Sequence, residues 1–249
     1  MPTKILTWNI NKPSTETTEF ILDKIIELNP DVAILTEIPK EPKNVKLIKS
    51  RLFKKDFSCF ISDEYEKYVL VCSKPYIKTS KLIEIPKELL GNVAIVELEN
   101  LLVIGLFVNC FNQNEENNKK LGEILIKFLN NAKNLYPQVE MIAVGDFDCG
   151  IKGSNKNGYK KLKDLENNGW ANTSFKEDQV EWISDKELRD GSFRRKNGTG
   201  KSIPDHLLAT EKTAKKITKP KFLFEYLDIR LPNGVCLSDH APLIAELHL

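Results

Sequence analysis

Asp146 and Asp148, two residues apart in Gly145-Asp146-Phe147-Asp148, mark the place in this sequence where chemistry is most concentrated. They follow an apolar run from Met141 to Val144 and precede a loop rich in Gly, Asn and Lys. On a strand, residues i and i+2 point the same way, so both carboxylates address one spot. Paired carboxylates at a strand end suit a hard cation or a polarised water. Gly and Asp also favour turns, so the stretch alone reads equally well as a polar strand-to-loop turn.

Other polar residues stand at similar places. Asn9 and Glu37 each sit where a short apolar run meets a break. Strand ends in α/β sheets are where sites form. Asp205-His206 follows Pro204 and opens the run Leu207–Ala209. An Asp at that position can fix the tautomer of an imidazole. Ser238-Asp239-His240 precedes the final apolar run, and the chain holds only three His, at 206, 240 and 248. A His beside an Asp is often a satisfied loop residue; its functional reading is a base or electrostatic group next to a metal carboxylate. Gly200-Lys201-Ser202 ends like a phosphate-binding loop, but Arg195 stands where that pattern needs Gly, and Pro204 follows instead of a helix. The sequence has no G-x-S-x-G, H-E-x-x-H or zinc-type Cys/His spacing, which removes support for serine-hydrolase and zinc chemistry.

The elements that must carry these residues follow from periodicity. Lys4–Ile10 and Val32–Leu35 predict strands, joined by a helix over Glu16–Leu28 with Phe20, Ile21, Ile25 and Leu28 on one side. Asn29-Pro30 stops that helix. Lys43–Phe53 predicts a second helix. Tyr68–Cys72, Val93–Leu98 and Leu101–Val108 predict strands, the last two joined in a hairpin at Asn100. Glu115–Asn134 predicts a helix with Leu121, Ile124, Leu125, Phe128 and Leu129 on its apolar face. Met141–Phe147 is the strand that delivers the two acids, and Tyr159–Glu166 is a short helix. Residues 167–202 read mostly as loop, studded with Trp170, Phe175, Trp182 and Phe193. Leu207–Ala209, Phe222–Ile229 and Leu243–Leu249 predict closing strands. No linker or repeat divides the chain, so the expectation is one α/β domain over 1–249, with two packed mixed sheets flanked by helices.

Composition narrows the partners. The chain has 249 residues, 41% hydrophobic, with a formal net charge of +2. Arg189 to Lys221, however, holds ten Lys/Arg against three Asp/Glu. Such a stretch docks on phosphates or serves as a solvated surface. Five Cys, at 59, 72, 110, 149 and 236, form no C-x-x-C, and Cys59 and Cys72 read as core residues. No signal-peptide pattern and no run of about 20 apolar residues is present. These features lead to the expectation of a cytoplasmic protein that avoids membranes.

Taken in order, Trp8-Asn9-Ile10, Glu37, Gly145-Asp146-Phe147-Asp148, Asp205 and Ser238-Asp239-His240 resemble the endonuclease/exonuclease/phosphatase superfamily, over nearly the whole chain. That superfamily includes DNase I-like nucleases, apurinic-site endonucleases and phosphodiesterases of inositol phosphates and sphingomyelin. The resemblance implies a four-layer α/β sandwich and phosphate-ester cleavage with a divalent ion, Mg2+ or Mn2+. It implies that Glu37 is the principal metal ligand, with Asn9 and Asp239 nearby. It implies that Asp146 positions or deprotonates the attacking water, that His240 binds the scissile phosphate, and that Asp205 orients His240. Asp148 joins the expected catalytic set. Arg194, Arg195 and Asn11 are the expected substrate contacts.

Three positions depart from the family pattern. Asp148 stands where Asn is common, and a carboxylate near a phosphate repels it unless metal-bound or protonated. Phe107 stands where other members carry His or Tyr, and it can neither donate nor accept a proton. Asn11 stands where apurinic-site enzymes often carry Asp. The leading expectation is therefore a monomeric nuclease on DNA or RNA with a one-His site. The basic segment and the loop aromatics favour it, since stacking plus phosphate contacts holds single strands. The alternatives are a phosphatase or phosphodiesterase on a small or lipid phosphate, and a degenerate member that binds without turnover.

Overall fold

The structure, a computed structural model, describes residues 1–39, 41–62, 69–75, 77, 83–108, 116–147, 156–174, 193–194, 201–202 and 205–249. The chain opens as strand, helix, strand: β1 (Thr3–Asn9), α1 (Thr15–Leu28) and β2 (Val32–Thr36), with β1 and β2 parallel. Local chemistry sets the ends of α1. Ser14 is the N-cap and its hydroxyl accepts from the Thr17 N–H at 3.3 Å. Asn29 closes the helix at φ 48°, its N–H shared between the carbonyls of Ile25 and Ile26. Then come α2 (Pro42–Phe53), β3 (Ser58–Ile61), β4 (Val69–Ser73), β5 (Val93–Glu97) and β6 (Leu101–Phe107). The second half adds α3 (Glu116–Leu135), β7 (Glu140–Asp146), α4 (Lys156–Asn167), β8 (Trp170–Asn172), β9 (Phe193–Arg194), β10 (Lys201–Ser202), β11 (Asp205–Thr210), α5 (Glu211–Ala214), β12 (Ile217–Phe222) and β13 (Leu243–Leu247).

These strands form two large mixed sheets, in the orders β12-β13-β1-β2-β4-β3 and β5-β6-β7-β11-β8, and β9 pairs with β10. Alternation along the strands sorts their side chains into three apolar layers. Ile5, Val32, Ile34, Val69 and Val71 of the first sheet meet Ala94, Val103, Ile142, Val144 and Leu207 of the second. Leu6, Trp8, Ala33 and Leu35 point the other way, onto Ile21, Leu22, Ile25, Ile48 and Leu52 of α1 and α2. Leu102, Ile104, Met141 and Ala143 likewise pack on Leu125, Phe128 and Leu129 of α3. Burying one such Leu or Ile stabilises the fold by about 2 kcal/mol. The result is the expected four-layer sandwich. Gly105 lets the sheets come close: a Cβ there would lie 2.9 Å from Val69 Cγ1 and 3.0 Å from Val71 Cγ2.

Two sequence expectations change. Phe222–Ile229 is not a strand. The strand β12 ends at Phe222, and a 3-10 turn covers Phe224–Asp228. Phe222, Leu223, Tyr226 and Leu227 are the buried residues of that stretch, a helical spacing that its aromatic, β-prone composition conceals. β12 contains Pro220, which is tolerated because the strand lies at the sheet edge and its register shifts between Thr218 and Lys221. Trp170, expected in a loop, instead begins β8 and is 1% exposed, so it belongs to the core rather than to a stacking surface. Phe175 and Trp182 lie outside the described residues.

Candidate active site

Strand direction brings the polar tips to one end of the sandwich. Because β1 and β2 are parallel, Asn9 pairs with Thr36 and Glu37 follows directly. Because β6 and β7 are parallel, Phe107 lies beside Asp146. β11 runs antiparallel to β7, so its first residue, Asp205, pairs with Asp146. Each sheet thus presents its acids at the same edge, facing the other sheet. Gly145 makes the close approach possible. Its φ is +144°, and a Cβ would sit 2.0 Å from the Leu106 carbonyl oxygen. Phe147 points outward and is fully buried, which anchors the strand end.

Asn9 joins the two sheets. Its side-chain oxygen accepts from the Asn11 N–H at 2.9 Å, which leaves its amide nitrogen for the acids. That nitrogen donates to Glu37 Oε1 at 3.1 Å and to Asp146 Oδ2 at 2.8 Å. Two carboxylates from different sheets therefore lie within reach of one nitrogen. Asn9 is fully buried and Asp146 is 5% exposed.

The third element is the loop before β13. Two buried bonds pin it to β1: Trp8 Nε1–H donates to the His240 carbonyl at 2.9 Å, and Ser238 Oγ donates to the Asn9 carbonyl at 2.6 Å; within the loop the His240 N–H donates to Ser238 Oγ at 3.0 Å. His240 Nδ1 then meets Asp205 Oδ2 at 2.8 Å, with both side chains buried. Burial pushes the His240 imidazole down, but the carboxylates of Asp205, Asp146 and Asp239 outweigh it and hold the group up at about 9. His240 is therefore a cation at neutral pH. Asp239 accepts from Asn11 Nδ2 at 2.9 Å, and burial pushes its carboxyl above the usual range.

The backbone at this edge is strained. Asn11, Lys12 and Glu37 adopt φ of 51°, 46° and 49°. Asn tolerates that region, whereas Lys and Glu there each cost about 1 kcal/mol or more. Lys12 is bound to Glu37 twice. Its N–H donates to the Glu37 carbonyl at 2.6 Å, and its ammonium pairs with Glu37 Oε2 at 2.9 Å. Nothing in the sequence patterns singled out Lys12, and the motifs containing Trp8 and Ser238 did not show that those two side chains clamp the His240 loop to β1. The signal available for Lys12 was that it is the cation in the short loop between Asn9 and α1.

Among the described residues the network sets four carboxylates, Glu37, Asp146, Asp205 and Asp239, against two cations, Lys12 and His240. An excess of two negative charges remains. Ligand atoms of Asp146, Asp205 and His240 lie within 4.8 Å of one another. Asp205 Oδ2 and His240 Nδ1 are bonded to each other, Asp205 Oδ1 is buried without a hydrogen-bond partner among the described residues, and Glu37 and Asp146 converge on the Asn9 nitrogen. His206 points away from this edge, as alternation requires. It is fully buried, edge-on to Phe147 with ring centroids 5.8 Å apart, and Asn172 Nδ2 lies 3.2 Å from its Nδ1. Phe107 is partly buried against the inter-sheet core. Arg194 falls on β9, but its side chain, like Asp148 and Arg195, lies outside the described residues.

No protein-family model and no curated protein sequence matches the chain. Solved structures do match. A 3′ phosphatase from Neisseria bound to a product DNA hairpin superposes with a TM-score of 0.77 at 16% identity, covering 99% of this chain and 100% of that one. An AP endonuclease from Archaeoglobus fulgidus gives 0.76 at 17% identity, with the same coverage. The endonuclease domain of TRAS1, a telomere-specific non-LTR retrotransposon, gives 0.65 at 13% identity, covering 100% of this chain and 99% of that one. The likeness runs from end to end, and what it establishes is architecture: this chain has the DNase I-like α/β sandwich fold.

Proposed function

We propose that this chain is a divalent-metal-dependent phosphodiesterase, a nuclease acting on phosphodiester bonds of DNA or RNA. The observation that carries this reading is the single Asn9 nitrogen shared by Glu37 and Asp146, set beside the buried Asp205–His240 ion pair. The donor set suits a hard ion, being carboxylate oxygens with an excess of two negative charges. Glu37, with Asp239 nearby, would hold Mg2+ or Mn2+. Bound there, the ion would neutralise phosphate charge and act as a Lewis acid.

The protein's own groups do the rest. The Asn9 amide keeps both carboxylates turned to one point. Asp146 orients the attacking water and accepts its proton. His240, held charged by Asp205, donates to the scissile phosphate and stabilises the charge that builds there. Asn11 holds Asp239 through its side-chain amide, and Asn11, Arg194 and Arg195 are the proposed substrate contacts. Asp148 completes the proposed acidic set. Among the described residues no helix is long and apolar enough to cross a membrane. The reading extends to a monomeric, cytoplasmic enzyme with Mg2+ as the working ion.

The experiment is a substrate panel with Mg2+, Mn2+ or EDTA: plasmid, single-stranded DNA, RNA, abasic duplex, small phosphodiesters and a 3′-phosphorylated DNA end. The last is included because the Neisseria structure is that of a 3′ phosphatase with product DNA. Cleavage of nucleic acid that EDTA abolishes is expected. Asp146→Asn and His240→Ala should each lower the rate by about 100-fold or more. An Asp146→Asn variant that retains full activity would sink the mechanism, and turnover of small esters alone would replace the substrate assignment.

A further inference from the structure

Lys12 has no part in the mechanism above, yet it is the residue most tightly bound to Glu37. Its backbone and its ammonium both address Glu37, at 2.6 Å and 2.9 Å. Both residues hold left-handed backbone conformations, φ 46° and 49°, that glycine would adopt without strain. The strain is spent at the position that sets an ammonium against a carboxylate. The two side chains differ in freedom: Glu37 is 19% exposed and Lys12 is 43% exposed. The carboxylate is held in place, while the ammonium can withdraw to solvent without unpacking the core.

We propose that Lys12 is a tethered cation that competes with the divalent ion for Glu37 and so raises the ion concentration at which the site fills. This rests on the reading of Glu37 as a metal-holding residue. Before the ion arrives, Glu37, Asp146 and Asp239 would repel one another across a partly dry edge. The Lys12 ammonium neutralises one of them. A divalent ion at Glu37 must either displace the ammonium or tolerate a like charge a few ångströms away. Either course weakens binding relative to a chain with a neutral residue at 12. Substrate phosphates, which attract cations, would favour the ion and the displaced ammonium together, so filling would be tied to substrate arrival.

The test is Mn2+ binding without substrate, read by calorimetry and by the paramagnetic resonance of free Mn2+. The proteins are wild type, Lys12→Met, Lys12→Gly, Lys12→Arg and Glu37→Gln. Lys12→Met should bind Mn2+ about tenfold or more tightly than wild type, the effect of removing one opposing unit charge beside a divalent ion. Lys12→Gly, which also relieves the backbone, should tighten binding likewise, and this guards against a folding defect in either variant. Lys12→Arg, which keeps the charge, should bind like wild type. Glu37→Gln should lose binding. If Lys12→Met and Lys12→Gly bind no tighter while Glu37→Gln loses binding, the competition is overturned and the metal reading stands. If Glu37→Gln binds as wild type does, the metal reading at Glu37 falls and the competition falls with it.

Discussion

Asp205→Asn isolates the electrostatic half of the site. The substitution keeps the shape of the side chain and removes its charge. In the wild type, the Asp205 carboxylate 2.8 Å from Nδ1 is the strongest influence holding the buried His240 imidazole up at about 9. At pH 7.5 a group with that value is roughly 97% charged, whereas one at or below the ordinary 6.5 is roughly 9% charged or less. Burial alone pushes His240 down, so the variant should titrate at or below 6.5. Activity that needs a charged His240 should then fall at least about tenfold at pH 7.5. The direct assay is NMR of the imidazole, titrated in EDTA so that no ion contributes. Stability gives a second readout. Because the folded value is raised, the pair stabilises the protein fully below pH 6.5, and that contribution is lost as pH rises through about 9. The gap in unfolding free energy between wild type and Asp205→Asn should therefore close by about 3 kcal/mol between pH 6 and pH 10. A wild-type His240 that titrates near 6.5, or one that Asp205→Asn leaves unmoved, would refute the reasoning.

Other substitutions probe the frame around the site. Gly145→Ala places a Cβ 2.0 Å from the Leu106 carbonyl at φ +144° and should destabilise the protein by about 3 kcal/mol or more in urea unfolding; a loss under about 1 kcal/mol would contradict the close approach. Trp8→Phe removes the buried indole bond to the His240 carbonyl and should cost about 1–3 kcal/mol, with catalysis falling by more than that loss of folded protein explains. At the opposite edge, Glu140 accepts from Thr213 Oγ1 and Lys216 Nζ at 2.8 Å each, and Lys212 Nζ lies 3.2 Å away. Burial pushes that carboxyl up, but these donors outweigh it and leave it below the usual range. Its stabilisation is present above the ordinary carboxyl range and is lost as pH falls through the depressed value. Glu140→Gln should therefore unfold more easily than wild type at pH 7 and approach it at low pH, while leaving any phosphodiesterase activity unchanged.

Much of this site was legible because strand ends are legible. Asn9, Glu37, Asp146 and Asp205 each terminate or open an apolar run, and the βαβ unit and the β7–β11 pair bring such tips to one edge. Asp239 and His240 stood out through the rarity of His. Pairings across the sheets were not legible. No spacing in the sequence shows that the Asn9 nitrogen serves acids on two sheets, or that Trp8 and Asn9 hold a loop more than 200 residues away. Lys12 was missed because an exposed lysine before a proline matches any loop. The helical turn at Phe224–Asp228 was missed because Phe and Tyr raise strand propensity even where burial recurs every fourth residue.

The clamp between Trp8 and the His240 loop has a consequence for synthesis. Asn9 ends β1 and His240 precedes β13, which enters the sheet between β1 and β12. A ribosome that has released everything through β12 carries Glu37, Asp146 and Asp205, but nothing yet to close against Trp8. The proposed site can assemble only after the segment from Ser238 to Leu247 has emerged and β13 has slotted beside β1. Translation that stops just short of β13 should therefore yield a long polypeptide in which the His240 loop has no strand to hold it against Trp8.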